Sequence, residues 1–82
     1  MINIKFSRHV KRRLKLYDIG ESDIIEVVEL YLQTEGLKKG RYVVISEELA
    51  AKYGLPIKVV FVIEEDEVIV VTAYPLKGGR RL

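Results

Sequence analysis

The sequence predicts an α+β fold, a two-layer sandwich of two N-terminal helices packed on a mostly antiparallel sheet. Segments with a helical apolar period fill the first part of the chain, and two runs of β-branched and aromatic residues fill the second. With 82 residues, 49% of them hydrophobic, the chain can build one core but not two. We therefore expect a single domain, residues 1–82, with the element order β-α-α-β-(short α)-β-β.

The first strand and the first helix are predicted from the start of the chain. Residues 2–6 alternate apolar and polar side chains, which is the period of a half-buried strand. Ser7 is a favourable N-cap for a helix over Arg8–Tyr17. The buried stripe of that helix is formed by the apolar residues at i, i+4 and i+7, namely Val10, Leu14 and Tyr17.

The second helix is predicted over Asp23–Gln33, with Ser22 as its N-cap and Gly36 as its terminator. Acidic side chains in its first turn suit the positive end of the helix dipole. The next segment, Arg41–Ile45, has the composition of a strand. The first strand lies far in sequence from all the other strands, and we expect it to pair with one of the later ones.

The strongest strand signals lie near the end of the chain. Ile57–Ile63 is almost wholly apolar, which predicts a central strand covered on both faces, and Val68–Tyr74 is a similar run. The acidic residues 64–67 join them as a hairpin turn. Before this hairpin, Glu47–Tyr53 predicts either a short helix capped by Ser46 or an ordinary loop between strands.

The net charge of +2 conceals a segregation of charge along the chain. Residues 1–17 carry six basic side chains and no acid, residues 18–35 carry six acids and no base, and residues 68–82 carry three basic side chains and no acid. If the fold brings the two basic ends together, they form one positive patch. The alternative is a set of solvated faces with internal ion pairs, a composition typical of thermophile proteins.

Composition also excludes several classes of site. The chain has no cysteine and one histidine, so disulfides, thiol nucleophiles and multi-histidine metal sites are excluded, and no cofactor is expected. No apolar run approaches the roughly 20 residues of a membrane span, and Met1–Phe6 does not begin a signal peptide. We therefore expect a cytoplasmic protein with no membrane partner.

The first helix carries the candidate histidine. His9 and Arg13 are neighbours at i and i+4 on the rim of the buried face, and Arg12 lies beside them. An imidazole between guanidinium groups could act as a base toward a phosphate ester. The alternative is that His9 makes only local hydrogen bonds near the helix start.

The last strand and the tail offer the remaining candidates. Thr72 and Tyr74 are two residues apart, so we expect both on the sheet face that also carries Val68 and Val70. Tyr74 could supply a proton, or it could be an amphipathic core residue with its hydroxyl in water. Residues 76–82 are predicted to be a mobile basic tail. Together with Arg8 and Arg12, this tail gives the candidate nucleic-acid contacts Lys77, Arg80 and Arg81.

Two motifs in order carry a family resemblance. The first is Ser7-Arg-His9-Val-Lys-Arg-Arg13-Leu, followed by Ile19 and Asp23-Ile24, and the second is Val71-Thr72-Ala73-Tyr74-Pro75 with a basic tail. With these motifs the chain resembles a family of small bacterial and archaeal domains, whose topology is similar to that of the RelE/ParE and BrnT toxins. The resemblance implies a RelE-like fold that acts on RNA, including ribosome-bound mRNA, and an antitoxin protein as partner. The match to that family's motifs covers His9, Arg13 and Tyr74.

The leading hypothesis is a metal-independent ribonuclease of a toxin–antitoxin system. The RNA 2′-hydroxyl would attack its own phosphate, with His9 as base or acid and Tyr74 as the complementary proton donor. Arginines, Arg12, Arg13 and Arg81 among them, would stabilise the charge on phosphorus. One alternative is a module of the same fold that binds nucleic acid or protein without catalysis. Another is a homodimer that pairs through an exposed edge strand such as Arg41–Ile45.

Overall fold

The computed structural model describes residues 3–36 and 38–76 and has two layers. The elements run in the order β1 (Asn3–Phe6), α1 (Arg8–Tyr17), α2 (Glu21–Glu35), β2 (Gly40–Ser46), α3 (Ala50–Tyr53), β3 (Ile57–Ile63) and β4 (Glu67–Pro75). The predicted α+β class is confirmed. The predicted tail begins at Leu76, whose N–H donates to the carbonyl of Pro56 at 2.9 Å, and residues 77–82 lie outside the described part of the chain.

The four strands form one mixed sheet in the order β1-β4-β3-β2. Strand β3 pairs antiparallel with both β2 and β4, and β1 pairs parallel with β4, from Asn3 opposite Glu67 to Phe6 opposite Val70. The expected long-range pairing of the first strand with a later one is confirmed. Strand β2 forms the other edge of the sheet, at the greatest distance from β1.

One face of the sheet carries the helices and the core. Side chains of β3 and β4 that point to this face are fully buried, among them Ile57, Val59, Phe61, Val68 and Val70. The helices contribute Val10 and Leu14 from α1 and Ile24 and Val28 from α2 to the same cluster. This arrangement follows from the apolar period of both helices, which leaves one side of each for water.

The opposite face of the sheet, which we call the open face, has no helix layer among the described residues. We predicted that β3 would be covered on both faces, and this is wrong, because Lys58 and Val62 on the open face are only half-buried. Val60 between them is 6% exposed because its neighbours in the register, Val43 and Thr72, flank it. A strand between two neighbours can thus be strongly apolar without a second layer.

Two predicted helix starts also shift. Helix α2 starts at Glu21 with Gly20 as its N-cap, so the prediction of Ser22 as N-cap is wrong. The segment after β2 forms the short helix rather than a plain loop, but only over Ala50–Tyr53. The Ser46 hydroxyl accepts a hydrogen bond from the N–H of Leu49 at 3.4 Å, but Leu49 itself is the N-cap of α3, so the prediction of Ser46 as the cap of this helix is wrong.

None of the helices in residues 3–36 and 38–76 combines the length and the apolar character that a membrane crossing needs.

Candidate nucleic-acid interface

Helix α1 is fixed to the sheet at its first residue. The Ser7 hydroxyl accepts a hydrogen bond from the N–H of Val10 at 3.1 Å, so Ser7 is the N-cap that the sequence predicts. The same hydroxyl donates to the carbonyl of Val71 at 3.0 Å, and the N–H of Ser7 donates to the carbonyl of Val70 at 3.0 Å. At the other end, Asp18 ends the helix in a left-handed conformation with φ of 58°.

The solvent side of α1 is a row of cations. Four basic side chains occupy positions i, i+3, i+4 and i+7, all exposed, and we call them the cationic stripe: Arg8, Lys11, Arg12 and Lys15. Such spacing places them on one face of the helix over about 10 Å of its axis. They line a shallow depression together with Leu14, Ile19 and Glu21.

Among the described residues no carboxylate forms an ion pair with the cationic stripe, although Glu21 lines the same depression. The ion pairs found there join Lys5 to Glu67, Lys39 to Glu65 and Lys52 to Asp23, and none of them involves α1. The first turn of α1 contains no acidic residue either, so its positive dipole end adds to the charge of Arg8. Arg8 therefore opposes the helix dipole, whereas Lys15 in the last turn lies where the dipole favours a cation.

His9 and Arg13 lie next to the stripe. They are one turn apart on α1, with His9 exposed and Arg13 half-buried. Arg12 is three residues after His9 and joins this pair to the cationic stripe.

Tyr74 projects from the open face because β4 contains a bulge. Phe61 lies opposite Val70 and Val60 lies opposite Thr72, so Val71 is an extra residue on β4. After the bulge the alternation is inverted: Ala73 is fully buried in the core, and Thr72 and Tyr74 lie on the open face. The prediction that these two residues share a face with Val68 and Val70 is therefore wrong.

The structure brings the candidates into two groups and not one. His9, Arg8, Arg12 and Arg13 are together on α1, on the core side of the sheet, whereas Tyr74 is on the open face. No hydrogen bond joins His9 to Tyr74 in residues 3–36 and 38–76. The three predicted tail contacts, Lys77, Arg80 and Arg81, lie outside the described residues.

Three cations were missed by the sequence prediction of site residues. Lys11 and Lys15 complete the stripe, and their spacing of three and four residues from Arg8 and Arg12 was the signal that could have found them. Lys58 lies opposite Tyr74 in the register, with its Nζ 5.7 Å from the centre of the tyrosine ring. This cation–ring contact depends on the bulge and left no local signal in the sequence.

A separate polar cluster joins the start of α2 to α3. The hydroxyl of Tyr53 accepts a hydrogen bond from the N–H of Gly20 at 3.0 Å and donates a short one to Asp23. Lys52 donates to the same carboxylate oxygen at 2.9 Å. The Tyr53 hydrogen bond, and after it that of Lys52, lowers the pKa of Asp23 below its ordinary value of 3.8.

Comparison of the chain with protein-family models, with curated protein sequences and with solved structures finds no match.

Proposed function

We propose that this chain is a toxin-like RNA-binding protein that holds the sugar–phosphate backbone on the cationic stripe of α1. The observation that carries the proposal is the row of four exposed cations with no carboxylate partner among the described residues. In proteins that bind nucleic acids, contacts between basic side chains and phosphate groups are the dominant source of affinity. At about 3.4 Å of helix axis per phosphate of one strand, the stripe of about 10 Å spans four phosphates, so it suits a short single-stranded segment.

Salt dependence tests the binding. Four neutralised phosphates of a single strand predict a slope of log K against log[salt] of about −3, or roughly a 50-fold loss of affinity between 50 and 200 mM salt. We expect the double substitution Lys11→Gln/Lys15→Gln to reduce the slope to about −1.4, since two phosphate contacts are lost. The measurement is fluorescence anisotropy of a labelled single-stranded RNA.

The matched control removes the same charge elsewhere. Lys38 and Arg41 are exposed near the start of β2, at the sheet edge remote from α1. We expect Lys38→Gln/Arg41→Gln to keep the wild-type slope. Equal slopes for the two double variants would mean that net charge, and not the stripe, governs binding, and the proposal would be rejected.

We propose RNA cleavage as the chemistry of this site, carried out without a metal ion. The position of His9 between Arg12 and Arg13 supports it. The imidazole takes the proton of a 2′-hydroxyl as its oxygen attacks phosphorus, and the guanidinium groups stabilise the extra charge there. The bond from phosphorus to the 5′ oxygen breaks and that oxygen takes a proton from water, which gives a 2′,3′-cyclic phosphate and a 5′-hydroxyl. A single acid–base residue contributes about 10²–10⁴-fold in rate. We expect His9→Ala to lose about that factor in an assay with a chelator present, and to keep the RNA affinity of the wild type.

The cleavage assay is run with free RNA and with ribosome-bound mRNA. Activity that needs the ribosome would identify a ribosome-dependent toxin of RelE type, as the motif resemblance implies. If His9→Ala cleaves as fast as the wild type in both arms, His9 has no catalytic role. If the wild type binds RNA but cleaves in neither arm, the protein is the non-catalytic module of the same fold.

A toxin activity predicts a phenotype in cells. We expect induction of the wild type in a bacterium to arrest growth and His9→Ala to relieve the arrest at equal protein level. Co-expression of a neighbouring gene product that restores growth would identify the antitoxin. Normal growth on expression of soluble wild-type protein would argue against the toxin part of the proposal and leave RNA binding to be judged by the anisotropy data.

A further inference from the structure

A groove lies between α2 and β2, at the sheet edge opposite to β1. Its floor is apolar and formed by Val27 and Leu30 of α2, Val44 of β2, and Leu49. Five exposed glutamates line the groove, Glu35 among them, and we call the other four the acidic rim: Glu26, Glu29, Glu47 and Glu48. The spacing of Glu26, Glu29 and Leu30 along α2 places all three on one side of the helix, toward the groove.

The groove runs beside an unpaired strand edge. Strand β2 pairs with β3 alone in the described sheet, so alternate N–H and C=O groups along Gly40–Ser46 face outward. Leu30 above this edge is 56% exposed, and Val43 and Ile45 on the strand itself are 54% and 49% exposed. An exposed apolar side chain on each side of a free strand edge is the arrangement that accepts an added strand.

The acidic rim has no cation of its own. Among the described residues none of its carboxylates forms an ion pair, and the nearby Asp23 already binds Lys52 and Tyr53. The groove thus combines three properties: an apolar floor, a free backbone edge and uncompensated negative charge. This charge repels nucleic acid, so the groove is distinct from the cationic stripe.

We propose that the groove binds an extended, basic segment of a partner protein, which adds as a fifth strand to the free edge of β2. Alternate side chains of the segment would point to opposite faces of the sheet. Those on the open face would be apolar and pack beside Val43 and Ile45. Those on the α2 side would be lysine or arginine, with their aliphatic stems on the apolar floor and their charges at the acidic rim. Main-chain hydrogen bonds would supply affinity, and the two kinds of side chain would supply specificity.

A second copy of this chain is a poorer occupant. Two β2 edges pairing with each other would bring two acidic rims together, which costs free energy. The basic helix α1 of a second copy has its backbone groups paired within the helix, so it cannot add a strand.

The probe is a labelled peptide of alternating lysine and valine with as many residues as β2. A peptide of alternating lysine and proline keeps the charge but cannot form the strand ladder, and one of alternating glutamate and valine keeps the ladder but reverses the charge. We expect the lysine–valine peptide to bind and the two control peptides to bind at least about tenfold more weakly. Amide chemical-shift changes should concentrate on β2 and on Leu30.

Charge neutralisation identifies the groove. We expect Glu29→Gln/Glu47→Gln to weaken binding about fivefold, as expected for the loss of two exposed ion pairs. The matched control is Glu64→Gln/Asp66→Asn in the β3–β4 turn, where both side chains are exposed and outside any ion pair among the described residues. This control should bind like the wild type.

Several outcomes overturn the proposal. Equal binding of the lysine–proline peptide would exclude strand addition, and equal loss in both double variants would indicate general charge attraction. Shift changes confined to α1 or the open face would place the ligand elsewhere. Concentration-dependent dimerisation in sedimentation, abolished by Glu29→Gln/Glu47→Gln, would show that a second copy occupies the groove.

Discussion

At the scale of single residues, Asp23 shows how a charged side chain ties two helices that have little apolar contact. Its carboxylate accepts hydrogen bonds from Tyr53 and Lys52, and the same tyrosine hydroxyl accepts from Gly20 just before α2. Because these bonds are made to the ionised form, the pKa of Asp23 in the folded protein lies below its ordinary value of 3.8.

The hydrogen bonds to the Asp23 carboxylate therefore predict that the stability of the protein depends on pH. A carboxyl whose folded-state pKa is lowered contributes fully above the pKa of the unfolded chain and loses its contribution as the pH falls through the folded-state pKa. We expect Tyr53→Phe to lower the free energy of unfolding by about 1 kcal/mol at pH 7. The difference from wild type should shrink below about pH 4, as measured by urea unfolding across that range.

Tyr42→Phe is the matched control for this experiment. Tyr42 donates to the backbone carbonyl of Lys38 at 2.6 Å, a bond between uncharged groups that no carboxylate titration affects. The free energy of unfolding lost in Tyr42→Phe should be the same at pH 7 and pH 4. A Tyr53→Phe cost that is equally constant would show that the ionised carboxylate of Asp23 is not the source of the stabilisation.

His9 and Tyr74 allow a second prediction at this scale. Since one lies on the exposed side of α1 and the other on the open face, their substitutions should act independently. In a cycle of His9→Ala, Tyr74→Phe and the double variant, we expect the effects on RNA cleavage to add within about 0.5 kcal/mol. A large interaction energy would mean that both residues serve one reaction site, as the leading sequence hypothesis had them.

At the scale of the elements, the bulge at Val71 determines what β4 presents to each side. The sequence predicted this strand within one residue at each end, because its β-branched run is strong. It could not predict the face of Tyr74, because the inversion depends on Ser7, 64 residues earlier, whose hydroxyl binds the carbonyl of the bulged residue. The helix that carries the candidates of α1 was therefore predicted correctly, and the face of Tyr74 on β4 was predicted wrongly.

Helix α2 illustrates the same limit of local signals. Ser22 is a better intrinsic N-cap than Gly20, and the sequence predicted the helix start accordingly. The structure begins the helix two residues earlier, with the N–H of Gly20 bonded to Tyr53 of α3. A residue from a distant segment thus holds the backbone just before the helix start, and the local sequence does not contain that information.

These two serines give a prediction for element stability. Ser7→Ala removes both the N-cap of α1 and the bond to the bulge, so we expect a loss of about 2 kcal/mol in the free energy of unfolding. Ser22→Ala removes an exposed hydroxyl inside α2 and should change it by less than about 0.5 kcal/mol. Chemical denaturation measures both, and equal losses would contradict the assignment of caps.

At the scale of the whole molecule, charge is divided between the two edges of the sheet. The cationic stripe lies on α1 over β4, and the acidic rim lies by β2, two strands away. Opposite charges at two ends of a small molecule attract neighbouring copies at low ionic strength, even when the net charge is only +2.

This division predicts weak attraction between copies that salt removes. We expect the second virial coefficient from light scattering to be negative at about 10 mM salt, where the Debye length is about 30 Å, and positive near 200 mM. Lys11→Gln/Lys15→Gln should reduce the attraction, although it brings the net charge to zero. Stronger attraction in that variant would show that low net charge dominates and that the charge division has no such effect.

The parallel pairing of β1 with β4 also has a consequence for synthesis of the protein on the ribosome. The first strand and α1 are synthesised before the residues that bury Val10 and Leu14, such as Val70 and Ala73 of β4. Folding must wait for loop closure over some sixty residues, which is slow in chains dominated by distant contacts. Until β4 has been synthesised, the apolar side of α1 has no sheet to pack against, and the nascent chain exposes it to water.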